Sequence, residues 1–271
     1  MPNRVVLTGA GVISAIGGNA REFALGLSEG RRGIAHIQRF DPDYYPLRAG
    51  AEVKGLSQEK DGDRKTILLR TAMEEALADQ ALYACYHPDD RVLILGGGIE
   101  YLDIRGYSKA GEEKCLNSFL HDSFELARQV AREFDIRGGV HVNVSACVAS
   151  NQSFGLAYRL LRQTKNKLLI VGGVDSMLDP LGYLGFYKLG ALTTWPGEPE
   201  GSCRPFDKER CGVVLGEGAA VMLMQNALEA EEQQIMAEIA GYGSTMGIFA
   251  YPSKKVYFMG SDMISLLKYS R

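Results

Sequence analysis

Cys147 lies in "HVNVSACVASNQSFGLAYRLLRQ", residues 141–163, where alternating apolar positions give way to helical spacing. A thiol at such a junction has a chemical opportunity. The first N–H groups of a helix lack intrahelical partners and sit at the positive end of its dipole, which favours a thiolate. The same N–H groups can hold the oxyanion that forms when a thiolate attacks an acyl carbonyl. Ser145, Ala146, Ala149 and Ser150 are small, leaving room for a sharp turn and an approaching substrate. The pattern is that of a nucleophile elbow with sulfur in place of oxygen. The competing reading is a buried free cysteine that packs as a small hydrophobe. Placement between strand and helix favours the nucleophile.

Other residues that could carry chemistry are less suggestive. The five cysteines are Cys85, Cys115, Cys147, Cys203 and Cys211, an odd and scattered set with no C-x-x-C spacing. That argues against a zinc site or a vicinal redox motif and fits reduced thiols. His36, His87, His121 and His141 form neither H-x-x-x-H nor H-E-x-x-H, so no metal is expected. "VVLTGAGVISAIG" has Gly9 and Gly11 after a strand-like run, as a dinucleotide loop would. The third glycine of that fingerprint falls on Ser14, and no second strand leads to a clear acidic residue some twenty positions on. A nicotinamide oxidoreductase is therefore set aside, and the glycines are read as a loop where the backbone bends.

The elements that must position Cys147 alternate in type. "RVVLTG" (4–9) and "RVLILGGG" (91–98) read as strands, and 19–29, 63–82 and 118–134 as helices. Val140, Val142 and Val144 alternate in a strand, a helix follows from about Val148 to Gln163, and "KLLIVGGVD" (167–175) is a buried-type strand. This βαβ unit requires parallel strands and a right-handed crossover. "CGVVLGEG" and "AAVMLMQ" read as two further strands, followed by an acidic helix over 226–234. The fold class is α/β.

The totals fit a globular protein: 271 residues, 46% hydrophobic and 23% charged. A net charge of −3 offers no general attraction for nucleic acid or an anionic membrane. No apolar run approaches a membrane span and no secretory signal is evident, so a cytoplasmic location is expected.

Several segments, in order, resemble the β-ketoacyl-acyl-carrier-protein synthases of the thiolase superfamily. They are "VVLTGAGVISAIG", the elbow "NVSACVAS", "LIVGGVDSMLDPLGYLGFYKLGALTT" and "SCRPFDKERCGVVLGEGAAVMLM". The resemblance implies a thiolase-like layered fold and a decarboxylating Claisen condensation between an acyl thioester and a malonyl-carrier, in fatty acid or polyketide synthesis. It makes Cys147 the acyl acceptor and its backbone N–H half of an oxyanion hole. Ile99 and Phe186 match acyl-pocket positions, with core packing as the competing reading. Arg64 and Lys65 match a basic patch that meets the acidic carrier protein, with a solvated helix start as the alternative. Arg204, Asp207 and Glu217 match a block that fixes loops around the site. No cofactor is implied on the chain itself; the phosphopantetheine arm arrives on the acyl carrier protein. A homodimer or a synthase heterodimer is implied as well.

Ser150 stands where such synthases usually have glycine, and Cys211 where they have the aspartate of R-D-G. Resemblance covers residues 1–246; 247–271, "GIFAYPSKKVYFMGSDMISLLKYSR", is a divergent tail. No histidine follows Cys147, whereas the catalytic histidines of the family do. The expectation is a C-terminally truncated thiolase-like chain, comprising the first half and the start of the second. It could accept an acyl group but could not condense alone. The alternative is a catalytically inactive fragment or a partner resembling chain-length factors.

Overall fold

In "RVLILGG" every residue is buried, and the run forms β4 (Arg91–Gly97) at the heart of the sheet. A continuous apolar run of this kind suits a strand covered on both faces. The computed structural model describes residues 3–40, 48–56, 63–98, 101–102, 120–245 and 263–269. Among them, β4 has parallel neighbours on both sides: β7 (Val140–Val144) and β8 (Leu168–Ser176). From β8 the sheet continues antiparallel through β9 (Glu217–Asn226), β1 (Val5–Ser14), β10 (Ala237–Ser244) and β11 (Met263–Tyr269). Two short pairs stand apart, β2 (Ala35–His36) with β3 (Ala49–Gly50) and β5 (Tyr101–Leu102) with β6 (Leu120–His121).

Side-chain alternation along β4 separates the core into two layers. Leu93 and Leu95 pack with Leu68, Leu69, Ala72 and Met73 of α2 (Arg64–Ala76), and with Leu126, Ala127 and Val130 of α4 (Ser123–Glu133). Val92 and Ile94 point the other way, to Ala157 and Leu161 of α5 (Ala149–Leu161). The chain passes from β4 through α4 to β7, then returns through α5 to β8 on the far side of β4. Two right-handed crossovers running in opposite directions must use opposite faces of the sheet, and α4 and α5 do.

Several boundaries differ from the sequence reading. The expected helix over 63–82 is two, α2 and α3 (Gln80–Ala84), with Asp79 capping the second through Leu82 N. In place of the acidic helix expected over 226–234, Asn226 ends β9 and the rest forms a turn and a single 3-10 turn, Glu232–Gln234. That run clusters like charges without the apolar stripe that would dock a helix. "CGVVLGEG" contributes only isolated bridges before β9, and Gly218 and Ala219, expected to separate two strands, lie within that one. Residues 263–269, in the stretch expected to be a divergent tail, pair with β10 along the sheet edge. No helix among the described residues is long and apolar enough to cross a membrane.

Gly9 and Gly11 also play a different part from the one expected. Instead of opening a loop they continue β1 to Ser14, opposite Leu223 and Val221 of β9. A Cβ on Gly11 would stand 1.9 Å from the carbonyl oxygen of Ala72, so the glycine is what lets α2 lie against the strand. Gly11→Ala should therefore cost about 1–3 kcal/mol in urea unfolding, as overpacking does. Gly185→Ala is the control: it lies on α6 (Pro180–Lys188) with nothing within 4 Å of an added Cβ. It should be neutral or stabilising by about 0.5–1 kcal/mol. Equal losses in the two variants would refute the close-contact account.

Candidate active site

The parallel strands end together. Gly97 of β4 is in register with Val144 of β7 and with Val174 of β8. Open α/β sheets bind ligands beyond the carboxyl ends of such strands, where neighbouring connections diverge to opposite faces. Here that end leads directly into the elbow. Ser145 leaves the strand, Ala146 takes φ 52°, and Ala146–Val148 form one 3-10 turn before α5 begins. A left-handed conformation in a non-glycine residue costs about 1–3 kcal/mol and persists only where surrounding structure enforces it. Cys147 is exposed at this corner.

The first turn of α5 is held by backbone contact and by polar side chains. A Cβ on Gly96 would come within 2.4 Å of Ser150 N, and one on Gly173 within 2.0 Å of Ser150 Oγ. These glycines of β4 and β8 therefore let the helix start sit on the strand ends. Ser150, which stands where the resemblance calls for glycine, fills the space over Gly173. Asn143 of β7 donates to Ala149 O at 3.3 Å and to Gln152 Oε1 at 2.9 Å, tying strand to helix across the elbow. Ser153 Oγ, fully buried, donates to Ala149 O at 3.0 Å. Val148, the N-cap, makes no side-chain capping bond, so no side chain at that position competes for the first N–H groups.

A charged network underlies the same end of the sheet. Glu217 opens β9 opposite Ser176, and its side chain has no exposed surface. Its carboxylate accepts from Ser176 Oγ at 2.7 Å, Val53 N at 2.9 Å and Arg64 Nε at 3.1 Å. Arg64 Nη2 pairs with the other carboxylate oxygen and also donates to Val53 O at 2.7 Å, while Arg39 Nη1 approaches at 3.4 Å. Burial alone would push the Glu217 carboxyl up; hydrogen bonds from Arg64, Ser176 and Val53 outweigh it and hold the group below its usual value. Beside this network Lys65 Nζ meets Asp175 Oδ1 at 3.1 Å.

Arg64 and Lys65 therefore do not form an outward basic patch, nor a solvated helix start. Lys65 is 3% exposed and the Arg64 side chain 15%. The start of α2 abuts the buried carboxylate of Glu217 and the half-buried one of Asp175, and buried negative charge requires paired cations. Phe186, on α6, packs against a separate cluster of Ile37, Phe40, Leu178, Tyr183, Leu192 and Leu215. Ile99 lies outside the described residues. The R-P-F-D block ties its own loop: Arg204 Nη2 pairs with Asp207 at 3.1 Å, and its guanidinium lies 4.3 Å from the Trp195 ring. Asn143 and Asp175 escaped the sequence reading, although Asn143 interrupts the valine alternation two residues before the elbow.

Helices on both faces of a sheet whose parallel strands end at a thiol elbow give the layered α/β arrangement of a thiolase-like fold. The model for the β-ketoacyl synthase N-terminal domain matches residues 2–230, and the chain belongs to that family. It is 30% identical over 266 residues to 3-oxoacyl-[acyl-carrier-protein] synthase 2 of Synechocystis and 32% identical over 259 residues to that of Coxiella burnetii. Each match covers 89% of this chain and 62% of the relative, so the chain spans less than two thirds of the length of these proteins. Among solved structures it resembles a β-ketoacyl synthase from Burkholderia phymatum, with TM-score 0.74 and 27% identity over 90% of this chain and 64% of that one. It also resembles the ishigamide ketosynthase/chain length factor, with TM-score 0.76 and 27% identity over 91% and 64%.

The Glu217 network sets a pH dependence. Its folded carboxyl titrates below the unfolded one, so its contribution to stability is complete above the unfolded pKa and is lost as pH falls through the folded pKa. Glu217→Gln should lower stability near pH 7 by roughly 3–5 kcal/mol, because it strands a cation that is now paired. It should also flatten the acid-side loss between about pH 5 and pH 3, measured by denaturant unfolding across that range. An unchanged acid slope in the variant would show that other carboxylates carry it.

Proposed function

We propose that this chain supplies the acyl-accepting site of a β-ketoacyl-acyl-carrier-protein synthase, with Cys147 as nucleophile. The observation that carries the reading is the elbow: a thiol exposed at the strand ends, on a left-handed turn leading into a helix that no side chain caps. The Cys147 thiolate attacks the carbonyl carbon of a thioester carried on a phosphopantetheine arm. The tetrahedral oxyanion is held by N–H groups at the start of α5. Collapse breaks the bond to the pantetheine sulfur, which leaves as a thiol after protonation, and the acyl group remains on Cys147.

In the complete condensing reaction a malonyl-carrier then loses carbon dioxide. The resulting enolate attacks the acyl-Cys147 thioester to form a β-ketoacyl product and free the thiol. We propose that second step for the full-length protein, since the curated relatives extend well beyond the matched region. The relatives' names put the 3-oxoacyl group on acyl carrier protein, and the same carrier is taken as the acyl donor here. Substrates are fatty acyl or polyketide intermediates, in a cytoplasmic setting that keeps the thiol reduced.

Pairing with a second synthase chain, as homodimer or heterodimer, is supported by β7. It is the end strand of the sheet among the described residues, and Val144, adjoining the elbow, is 49% exposed. An edge strand with an apolar residue beside a site favours covering by another chain.

The test is transfer from an acyl carrier protein loaded with an isotopically labelled acyl group, followed by intact mass and peptide mapping. One acyl mass should appear on Cys147 and be absent from Cys147→Ala. Release of labelled carbon dioxide from malonyl-carrier then separates full condensation from acyl acceptance alone. Acyl adducts that persist unchanged in Cys147→Ala would sink the assignment, and a folded chain that takes no acyl group would favour a non-catalytic partner role.

A further inference from the structure

The span from Asn143 to Ala149 is closed into a ring by one side chain. Asn143 Nδ2 donates to Ala149 O at 3.3 Å and to Gln152 Oε1 at 2.9 Å, and Cys147 lies within the ring that the first bond closes. Ala149 and Gln152 are neighbours on one face of α5, so the amide grips the first turn of the helix at two points. Both of its N–H bonds are used, which fixes the orientation of the side chain. Asn143 is in register with Gly96 of β4, and Gly96 with Gly173 of β8. Across that row the helix start rests on two glycines and is held from the third position by the Asn143 amide.

The turn inside the ring has little of its own to fix it against the sheet. Its backbone bonds run from Val148 N to Ser145 O at 3.4 Å, long for such a bond, and from Ala149 N to Ala146 O. Ser145 makes no side-chain capping bond, and its buried Oγ has no hydrogen-bond partner among the described residues. Ala146 is left-handed, a state that surrounding structure must enforce. The Ser153 bond to Ala149 O stays within α5. The Asn143 amide crosses from strand to helix, and so sets the N–H groups at the helix start relative to the strand that delivers Cys147.

We propose that Asn143 is a positioning residue for acyl transfer, holding the first turn of α5 so that its N–H groups meet the oxyanion formed at Cys147. This inference rests on the acyl-acceptor reading of Cys147. Asn143 acts through Ala149 and Gln152 and makes no bond to substrate. Donors aimed at an oxyanion must be in place before the charge develops, so a small displacement of the helix start slows acyl transfer. Iodoacetamide provides the contrast. There the same sulfur attacks a saturated carbon, a C–S bond forms as the C–I bond breaks, and no oxyanion arises. Both reactions start from the thiolate, so the ratio of their rates cancels any change in its abundance.

The test times modification of Cys147 in the whole chain by peptide mass spectrometry. One arm uses acyl-loaded carrier protein at saturating concentration, and the other uses iodoacetamide. Asn143→Leu is uncharged, close in size and without donors. It should acylate about ten- to a hundredfold more slowly than wild type, the scale of a misplaced catalytic group, and alkylate at an unchanged rate. Asn143→Asp keeps the shape and the Gln152 contact, since the Gln152 amide can turn its NH2 to the carboxylate, but has nothing to donate to Ala149 O. Its ratio of acylation to alkylation should fall as well, and it carries the test if circular dichroism shows the leucine variant unfolded. An unchanged ratio in a folded variant, or equal slowing of both reactions, would overturn the proposal. Wild type that alkylates at Cys147 but takes no acyl group would instead remove the acyl-acceptor reading on which this one stands.

Discussion

The helix that follows Cys147 rests on two strands at positions without side chains. Gly96 and Gly173 let the backbone of Ala149 and the side chain of Ser150 approach β4 and β8 more closely than any Cβ would permit. That contact fixes where α5 begins, and with it the direction in which Cys147 leaves the sheet. The left-handed Ala146 follows from the same constraint: the chain must turn from a strand lying in the sheet into a helix lying on it within three residues. The cost of that turn is met by the apolar face of α5, whose Ala157 and Leu161 are fully buried against Val92, Ile94 and Val171.

Electrostatics reinforces the same end of the molecule from below. Glu217 has no exposed side-chain surface and draws on β8, on the segment at Val53 and on the first residue of α2. A carboxylate so placed stays charged only because several donors converge on it; with any one missing, the rest remain buried without full compensation. Lys65 and Asp175 repeat the arrangement one residue along from Arg64 and from Ser176. The charges at the start of α2 thus orient that helix against the sheet end that carries the elbow.

The elbow was legible in the sequence because its signals are local. Valine alternation, a run of small residues and a renewed apolar periodicity mark strand, turn and helix within about twenty residues. The apolar strands β4 and β8 were legible for the same reason. What escaped were features decided by partners far away in the chain. Arg64 and Lys65 look like surface cations until Glu217 and Asp175 fold beneath them. Gly9 and Gly11 look like a loop until α2 is laid along β1. The acidic run over 226–234 has helical composition but offers no apolar stripe for the core to hold.

The sequence by itself determined a thiol at a strand-to-helix junction of an α/β sheet, because residue type and short-range period suffice for that. Only the tertiary structure decided which charges face inward and which glycines are contacts instead of hinges. Each of these depends on long-range burial, where the energy of a polar or charged group is set by neighbours that no local spacing specifies.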